Sequence, residues 1–267
     1  MISIPIVIII LAIYLFLVAP GSHKNVIMSK KGYAHRGLWN EALPENSMAA
    51  FKAAKEAGFG IETDVQLTKD KIPVLFHDET LTRMCGVDKR VSELTYLELS
   101  SYTLAGSDEK APTLTEFLEL IDGSVPILLE LKGVTLDTEL CDVIAPILDG
   151  YSGELVVESF NPFLLKRIKE LRPSLTRGML VTSLNKQGMK QQSPLRNYIL
   201  AAMLTNFLAR PNFIAHDMNY PNMLSIFVTT KLFGAPTCVW TVDKNADYVK
   251  YLAEEKYPIF DRFTPEK

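Results

Sequence analysis

Four short stretches hold the residue types from which a hydrolytic site is built: His35-Arg36-Gly37, Glu62-Thr63-Asp64, His77-Asp78 and Glu130-Leu131-Lys132. Glu62 and Asp64 stand two positions apart, as do Glu130 and Lys132, so on β-strands each pair points to one face. Carboxylates gathered on one rim repel one another unless a cation neutralises them. Oxygen donors alone suit a hard ion, Mg2+ or Ca2+, and the lack of a Cys/His cluster argues against structural zinc. A pair of histidines supplies a base and an acid near neutral pH without much tuning. Arg36 can chelate two phosphate oxygens, and Lys132 adds a point charge. Such a set fits phosphoester cleavage better than sugar or acyl chemistry, and the sequence carries neither a GxxxxGK loop nor a GxSxG elbow. Taken alone, Glu62-x-Asp64 reads more readily as a solvated or salt-bridged pair; with Glu130 and both histidines beside it, that reading becomes the weaker one. His23 lies in a polar tail and reads as idle. His216, beside Asp217, reads as structural, with a pocket role as the alternative.

The elements that must position these residues alternate along the chain. Gly32–His35 reads as a first strand, 45–57 as a helix stopped by Gly58, and Ile61–Leu67 as a second strand. Four polar residues, Thr68-Lys69-Asp70-Lys71, then lead to a strand over 72–77. A parallel crossover needs a dozen residues or more, so these two strands form an antiparallel hairpin, with Glu62 roughly opposite His77. Residues 78–111 are polar and irregular, with a short helix at Ser92-Glu93-Leu94, and read as an insertion over one barrel end. Beyond them, helices over 114–121, 137–148, 162–171, 195–208, 222–233 and 246–255 alternate with strands over 126–131, 155–159, 176–181, 213–216, 237–242 and 258–261. Strand–helix alternation argues α/β, and its repeat number favours a closed (β/α)8 TIM-type barrel over a doubly wound open sheet. Such barrels carry their chemistry at the carboxyl ends of the strands, where each of the four stretches falls.

The chain begins differently. Ile2 to Ala19 is uncharged and apolar on every face, near the lower length for crossing a hydrocarbon core. A cleaved signal peptide would carry Lys or Arg ahead of the run, and Pro20 is a poor start for a mature chain. A transmembrane anchor over 1–21 is therefore expected, ahead of a buried core helix, with a basic juxtamembrane linker over 22–31 and the barrel over 32–267. Lys24, Lys30 and Lys31 follow the run, which puts the barrel on the cytoplasmic side of a single-pass protein in the cell membrane. Cys85, Cys141 and Cys238 are odd in number and widely spaced, agreeing with a reducing compartment. With 28 Lys+Arg against 31 Asp+Glu the chain has no basic excess for a nucleic-acid surface. Its 48% hydrophobic content supports one sizeable core, and no Gly/Ser/Pro-rich linker divides it.

Ala34-His35-Arg36-Gly37, Pro44-Glu45-Asn46-Ser47, the run from Glu62 to Asp70 and Val74-Leu75-Phe76-His77-Asp78 resemble the glycerophosphodiester phosphodiesterase family. Leu129-Glu130-Leu131-Lys132, Ser159-Phe160 and Val239-Trp240-Thr241-Val242 continue the likeness in order. The resemblance implies a (β/α)8 fold with a small insertion after His77. It implies metal ligation by Glu62, Asp64 and Glu130, and acid–base catalysis by His35 and His77. Arg36 and Lys132 would hold the phosphate, while Phe160 and Trp240 would line the alcohol side. The implied reaction converts a glycerophosphodiester to glycerol 3-phosphate and an alcohol, with the glycerol's own hydroxyl or a water as nucleophile. A lipid-directed enzyme of lysophospholipase D type and a non-catalytic barrel-fold binding protein are the alternatives. Lys256-Tyr257-Pro258-Ile259-Phe260-Asp261 departs from the family's Gly-bearing last strand, which bears on the shape of that rim.

Overall fold

A computed structural model describes residues 4–24, 26–183 and 193–266. The strands are β1 (Tyr33–His35), β2 (Gly60–Leu67), β3 (Pro73–Leu75), β4 (Ile127–Leu131), β5 (Leu155–Ser159), β6 (Arg177–Val181), β7 (Phe213–Asp217), β8 (Thr237–Val242) and β9 (Tyr257–Phe260). Apart from β3 they pair in parallel in the order β1-β2-β4-β5-β6-β7-β8-β9, and β9 pairs back to β1, closing the eight-stranded barrel. The expected fold is thus present, and β3 hangs antiparallel on the end of β2.

The core is split by the barrel wall. Inside lie Tyr33, Leu128, Val156, Leu180, Phe213, Ala215, Cys238 and Ile259. Outside, strand residues such as Ile61, Leu129, Val157 and Val239 pack under the helices. These are α1 (Ile4–Val18), α2 (Met48–Ala57), α3 (Thr82–Cys85), α4 (Tyr96–Leu99), α5 (Leu114–Ile121), α6 (Glu139–Asp149), α7 (Pro162–Leu171), α8 (Pro194–Ala201), α9 (Asn206–Ala209), α10 (Leu224–Phe227) and α11 (Asn245–Ala253). Burial on both faces is what permits near-continuous apolar strands such as Ile127-Leu128-Leu129.

Several boundaries differ from the sequence reading. The helix expected over 45–57 starts at Met48, because Ser47 caps it by accepting from Ala50 N. This frees Glu45 and Asn46 for other contacts. The helix expected over 195–208 breaks into α8 and α9, and that over 222–233 continues past α10 as a π-helical turn, Val228–Leu232. The insertion carries α3, α4 and a 3-10 turn at Val91–Glu93 over its own small core of Phe76, Leu81, Leu99 and Leu104. The hairpin register differs by one residue from the expected one. Val65 pairs with Leu75 and Leu67 with Pro73, a register that carries Glu62 toward Asp78 and sets His77 beside Thr63.

The N-terminal segment also needs correction. Among the described residues no helix is long and apolar enough to cross a membrane. Helix α1 has 15 residues, about 22 Å of rise against a hydrocarbon core of about 30 Å. Ile2 and Ser3 of the expected anchor lie outside the described residues. The end of α1 is docked: Asn206 Nδ2 donates to Val18 O at 2.9 Å, and Arg210 Nη1 donates to Phe16 O and Ala19 O. Its residues Ile4 to Ile13 are exposed. The following stretch lies on the barrel, with Met28 and Ser29 buried.

Candidate active site

The end of β1 turns sharply. Arg36 has φ 59° and Gly37 φ 85°, both in the left-handed region. A Cβ on Gly37 would sit 2.9 Å from the carbonyl carbon of Ala50, so the turn is sealed against α2 and only glycine fits. The turn aims Arg36 back across the strand ends. Its backbone N donates to Glu62 Oε2 (3.1 Å), its Nη1 donates to Glu45 Oε1 (2.7 Å), and its Nε lies 3.5 Å from Asp64 Oδ2. Asn46, also left-handed at φ 52°, donates from Nδ2 to Asp64 Oδ2 (3.0 Å) and accepts from Thr63 Oγ1 (2.8 Å). Glu45 and Asn46 therefore brace the site rather than begin a helix, and they were quoted in the sequence only as part of a motif.

The three predicted ligands come together. Register sets Asp64 beside Glu130 across β2 and β4, and one carboxylate oxygen from each of Glu62, Asp64 and Glu130 lies within 4.8 Å of the others. Lys132 Nζ stands among them, 3.0 Å from Glu130 Oε1 and 3.2 Å from Asp64 Oδ1. The donor set is all oxygen, and Asp64 Oδ1 is buried with Lys132 Nζ at 3.2 Å as its cationic neighbour. Such a donor set fits a hard divalent cation.

Each histidine has a carboxylate behind it. His77 Nδ1 donates to Asp78 Oδ1 at 2.6 Å, which fixes the tautomer because an ionised carboxylate can only accept. His35 Nδ1 lies 3.6 Å from Asp261 Oδ2, and its Nε2 is 3.9 Å from Glu62 Oε2. Arg83, from α3, ties two parts of the frame by donating to Glu45 Oε1 (2.6 Å) and Asp78 Oδ2 (2.7 Å). Sequence reading assigned no role to Arg83 or Asp261. The Asp at the end of the last strand was visible, but its distance from His35 was not.

A cavity of about 1110 Å3 opens over these groups. His35, Arg36, Glu62, His77, Glu130, Lys132, Phe160 and Trp240 all line it. Asp64 does not; at 1% exposure it supports the wall from behind. Phe160 and Trp240 meet edge to face with centroids 5.7 Å apart, and Val134, Leu136, Phe163, Leu195, Ile199 and Leu200 extend an apolar flank. His216 lies apart from these groups, lining a separate cavity with Pro221 and Lys256, its Nδ1 3.0 Å from Asp217 O.

The charges pull against one another. Burial, with the Asp64 and Glu130 charges, raises the Glu62 carboxyl well above its ordinary range. Burial also raises Glu130, although Lys132 opposes it. Asp64 goes the other way: Lys132, His77 and Arg36 outweigh its burial and hold it far below the usual carboxylate range. Burial opposes charge on Lys132 too, but Glu130 and Asp64 keep it protonated. Burial lowers the His35 imidazole, against an opposing pull from Asp261, so the ring is neutral near pH 7. Clustered shifts of this kind are what a catalytic pocket imposes on its titrating groups.

Comparison with known proteins agrees with this geometry. Residues 35–258 match the Glycerophosphoryl diester phosphodiesterase family. A glycerophosphodiester phosphodiesterase of Caldanaerobacter subterraneus subsp. tengcongensis is 37% identical over 159 residues, 55% of this chain and 65% of that protein, short of two thirds of its length. Glycerophosphodiester phosphodiesterase 1 of Homo sapiens is 37% identical over 110 residues, 38% of this chain and 33% of that protein. Among solved structures, an Oleispira antarctica phosphodiesterase in complex with the product sn-glycerol-3-phosphate aligns with a TM-score of 0.70 at 25% identity, covering 86% of this chain and 91% of that one. With the fold, the strand-end residues and the sequence match in agreement, this chain belongs to the glycerophosphoryl diester phosphodiesterase family.

Proposed function

We propose that the protein hydrolyses glycerophosphodiesters to glycerol 3-phosphate and an alcohol, with a divalent cation, Mg2+ or Ca2+, held by Glu62, Asp64 and Glu130. The observation that carries this reading is the meeting of the three carboxylates in one cluster beside a cavity that two histidines line, each histidine with a carboxylate behind it. Family membership and the glycerol-3-phosphate complex of the Oleispira protein support it. When bound, the cation would act as Lewis acid and template for the phosphodiester. Arg36 and Lys132 hold the non-bridging phosphate oxygens. His35, neutral near pH 7, accepts the proton of the attacking hydroxyl, which belongs to water or to the substrate's glycerol; attack by the glycerol hydroxyl first gives a cyclic phosphate, which a water then opens to glycerol 3-phosphate. As the new P–O bond forms and the ester bond breaks, His77 in its imidazolium form, with Nδ1–H held by Asp78, delivers its Nε2 proton to the departing alcohol oxygen and is left as the Nδ1–H tautomer. Asp78 and Asp261 hold the two rings in orientation. The apolar flank that includes Phe160 and Trp240 receives the alcohol side.

The size and apolar flank of the cavity favour a second reading, in which the substrate is a lysophospholipid. The exposed apolar helix α1 supports the same idea from the other side. In this reading α1 enters the lipid bilayer and keeps the barrel at its cytoplasmic face, where Lys24, Lys30 and Lys31 meet anionic head groups. One assay tests both. The full chain is given glycerophosphocholine and lysophosphatidylcholine with Mg2+ or Ca2+ and then with chelator. Turnover of neither, or turnover insensitive to chelation, refutes the cation-dependent chemistry. Turnover of glycerophosphocholine alone removes the lipid reading.

A further inference from the structure

Glu158 is a charged residue inside the barrel that neither the family likeness nor the mechanism uses. It interrupts an apolar strand, following Val156 and Val157 on β5. Register sets Asp64 beside Glu130 and Glu130 beside Glu158, so the three stand in one row across β2, β4 and β5. Residues in register on adjacent parallel strands project the same way, and Glu158 lines the same cavity as Glu130. Its side chain is 1% exposed, and Oε2 has no hydrogen-bond partner. Interior carboxyls left unsatisfied destabilise a fold, so one that persists beside a charged site calls for a function.

We infer that Glu158 is a further member of the cation site: its carboxylate accepts a hydrogen bond from a water or hydroxyl that the bound cation holds, and so tightens cation binding. The inference rests on the cation site proposed above. It goes beyond the three ligands, because Glu158 is not part of their 4.8 Å cluster and so reaches the ion indirectly.

The test is calorimetric titration of the full chain with MgCl2 and with CaCl2, comparing wild type, Glu158→Gln, Glu158→Ser and Glu62→Gln. Loss of a partner that supports a metal site indirectly typically costs about 10- to 100-fold in affinity, and that weakening is expected for both Glu158 variants. Their cation-free unfolding midpoints should equal or exceed that of wild type, since a buried unpartnered carboxyl is gone. A structural role would reverse the pattern, lowering the midpoint and leaving the Kd alone, and so overturns the inference. Unchanged cation affinity with weakened binding of glycerol 3-phosphate also overturns it, making Glu158 a reader of the substrate instead. If Glu62→Gln loses the cation while Glu158→Gln binds it as wild type does, this inference fails and the cation site stands. If wild type binds neither ion, both fail.

Discussion

Adding a divalent cation should raise the thermal midpoint of the cation-free protein by an amount the site allows to be worked out. Glu62, Asp64 and Glu130 converge within 4.8 Å in the folded state, whereas in the unfolded chain they are scattered over sequence. The ion then binds the native state alone. At a hundredfold excess over Kd this contributes about 2.7 kcal/mol. For a barrel of this size each kcal/mol moves the midpoint by about 2–4 °C, so the shift should be about 5–11 °C. Its pH dependence has a definite sign. Burial raises the Glu62 and Glu130 carboxyls, so the folded cation-free protein holds protons that the unfolded chain has released. Their contribution to stability therefore falls as pH rises from the ordinary carboxylate range toward the raised values. A cation displaces those protons, and its stabilisation should grow with pH over that window. Differential scanning calorimetry at about pH 5.5 and about pH 8, with Mg2+ or Ca2+ and then with chelator, measures both effects. Asp64→Asn should lose most of the shift. A midpoint indifferent to cation, a shift that shrinks as pH rises, or an equal shift in Asp64→Asn would refute the reasoning.

Replacing His35 with Ala should cut kcat on the order of 10²- to 10⁴-fold and leave cation affinity largely intact, which titration calorimetry checks. The acidic limb of kcat/KM should fall below about pH 6.5, because burial lowers the His35 imidazole. Asp261→Asn removes a charge that raises it, so that limb should move further toward acid; a move toward base contradicts the assigned pairing. Arg83→Ala frees Glu45 and Asp78 together, and kcat/KM should drop on the order of 10- to 100-fold, with Arg83→Lys partly restoring it. Removal of residues 1–20 should abolish binding to vesicles containing anionic lipid while the barrel keeps its circular dichroism spectrum; vesicle binding that survives the truncation excludes α1 as the contact.

Local rules made much of this protein legible before any coordinates. The alternation of strands and helices is a local signal from which the closed parallel barrel followed, and the four-residue connection after β2, too short for a parallel crossover, gave the antiparallel hairpin. Two-residue spacing on a strand fixes facing, so Glu62 with Asp64 and Glu130 with Lys132 could be paired by inspection. What stayed hidden depends on register and on contacts between distant segments. The hairpin's register differs by one residue, because the Thr68 and Ile72 contacts, rather than the loop midpoint, set the turn. Asp261 reaches His35 only because β9 closes the barrel against β1, and Arg83 reaches Glu45 and Asp78 only because the insertion folds back over the strand ends. Glu158 stands in an otherwise apolar strand sequence, and only the β4–β5 register sets it beside Glu130. Helix α1 shows the same division: its apolar character is written in the sequence, while the docking of its end onto α9 depends on Asn206 and Arg210, about 190 residues away.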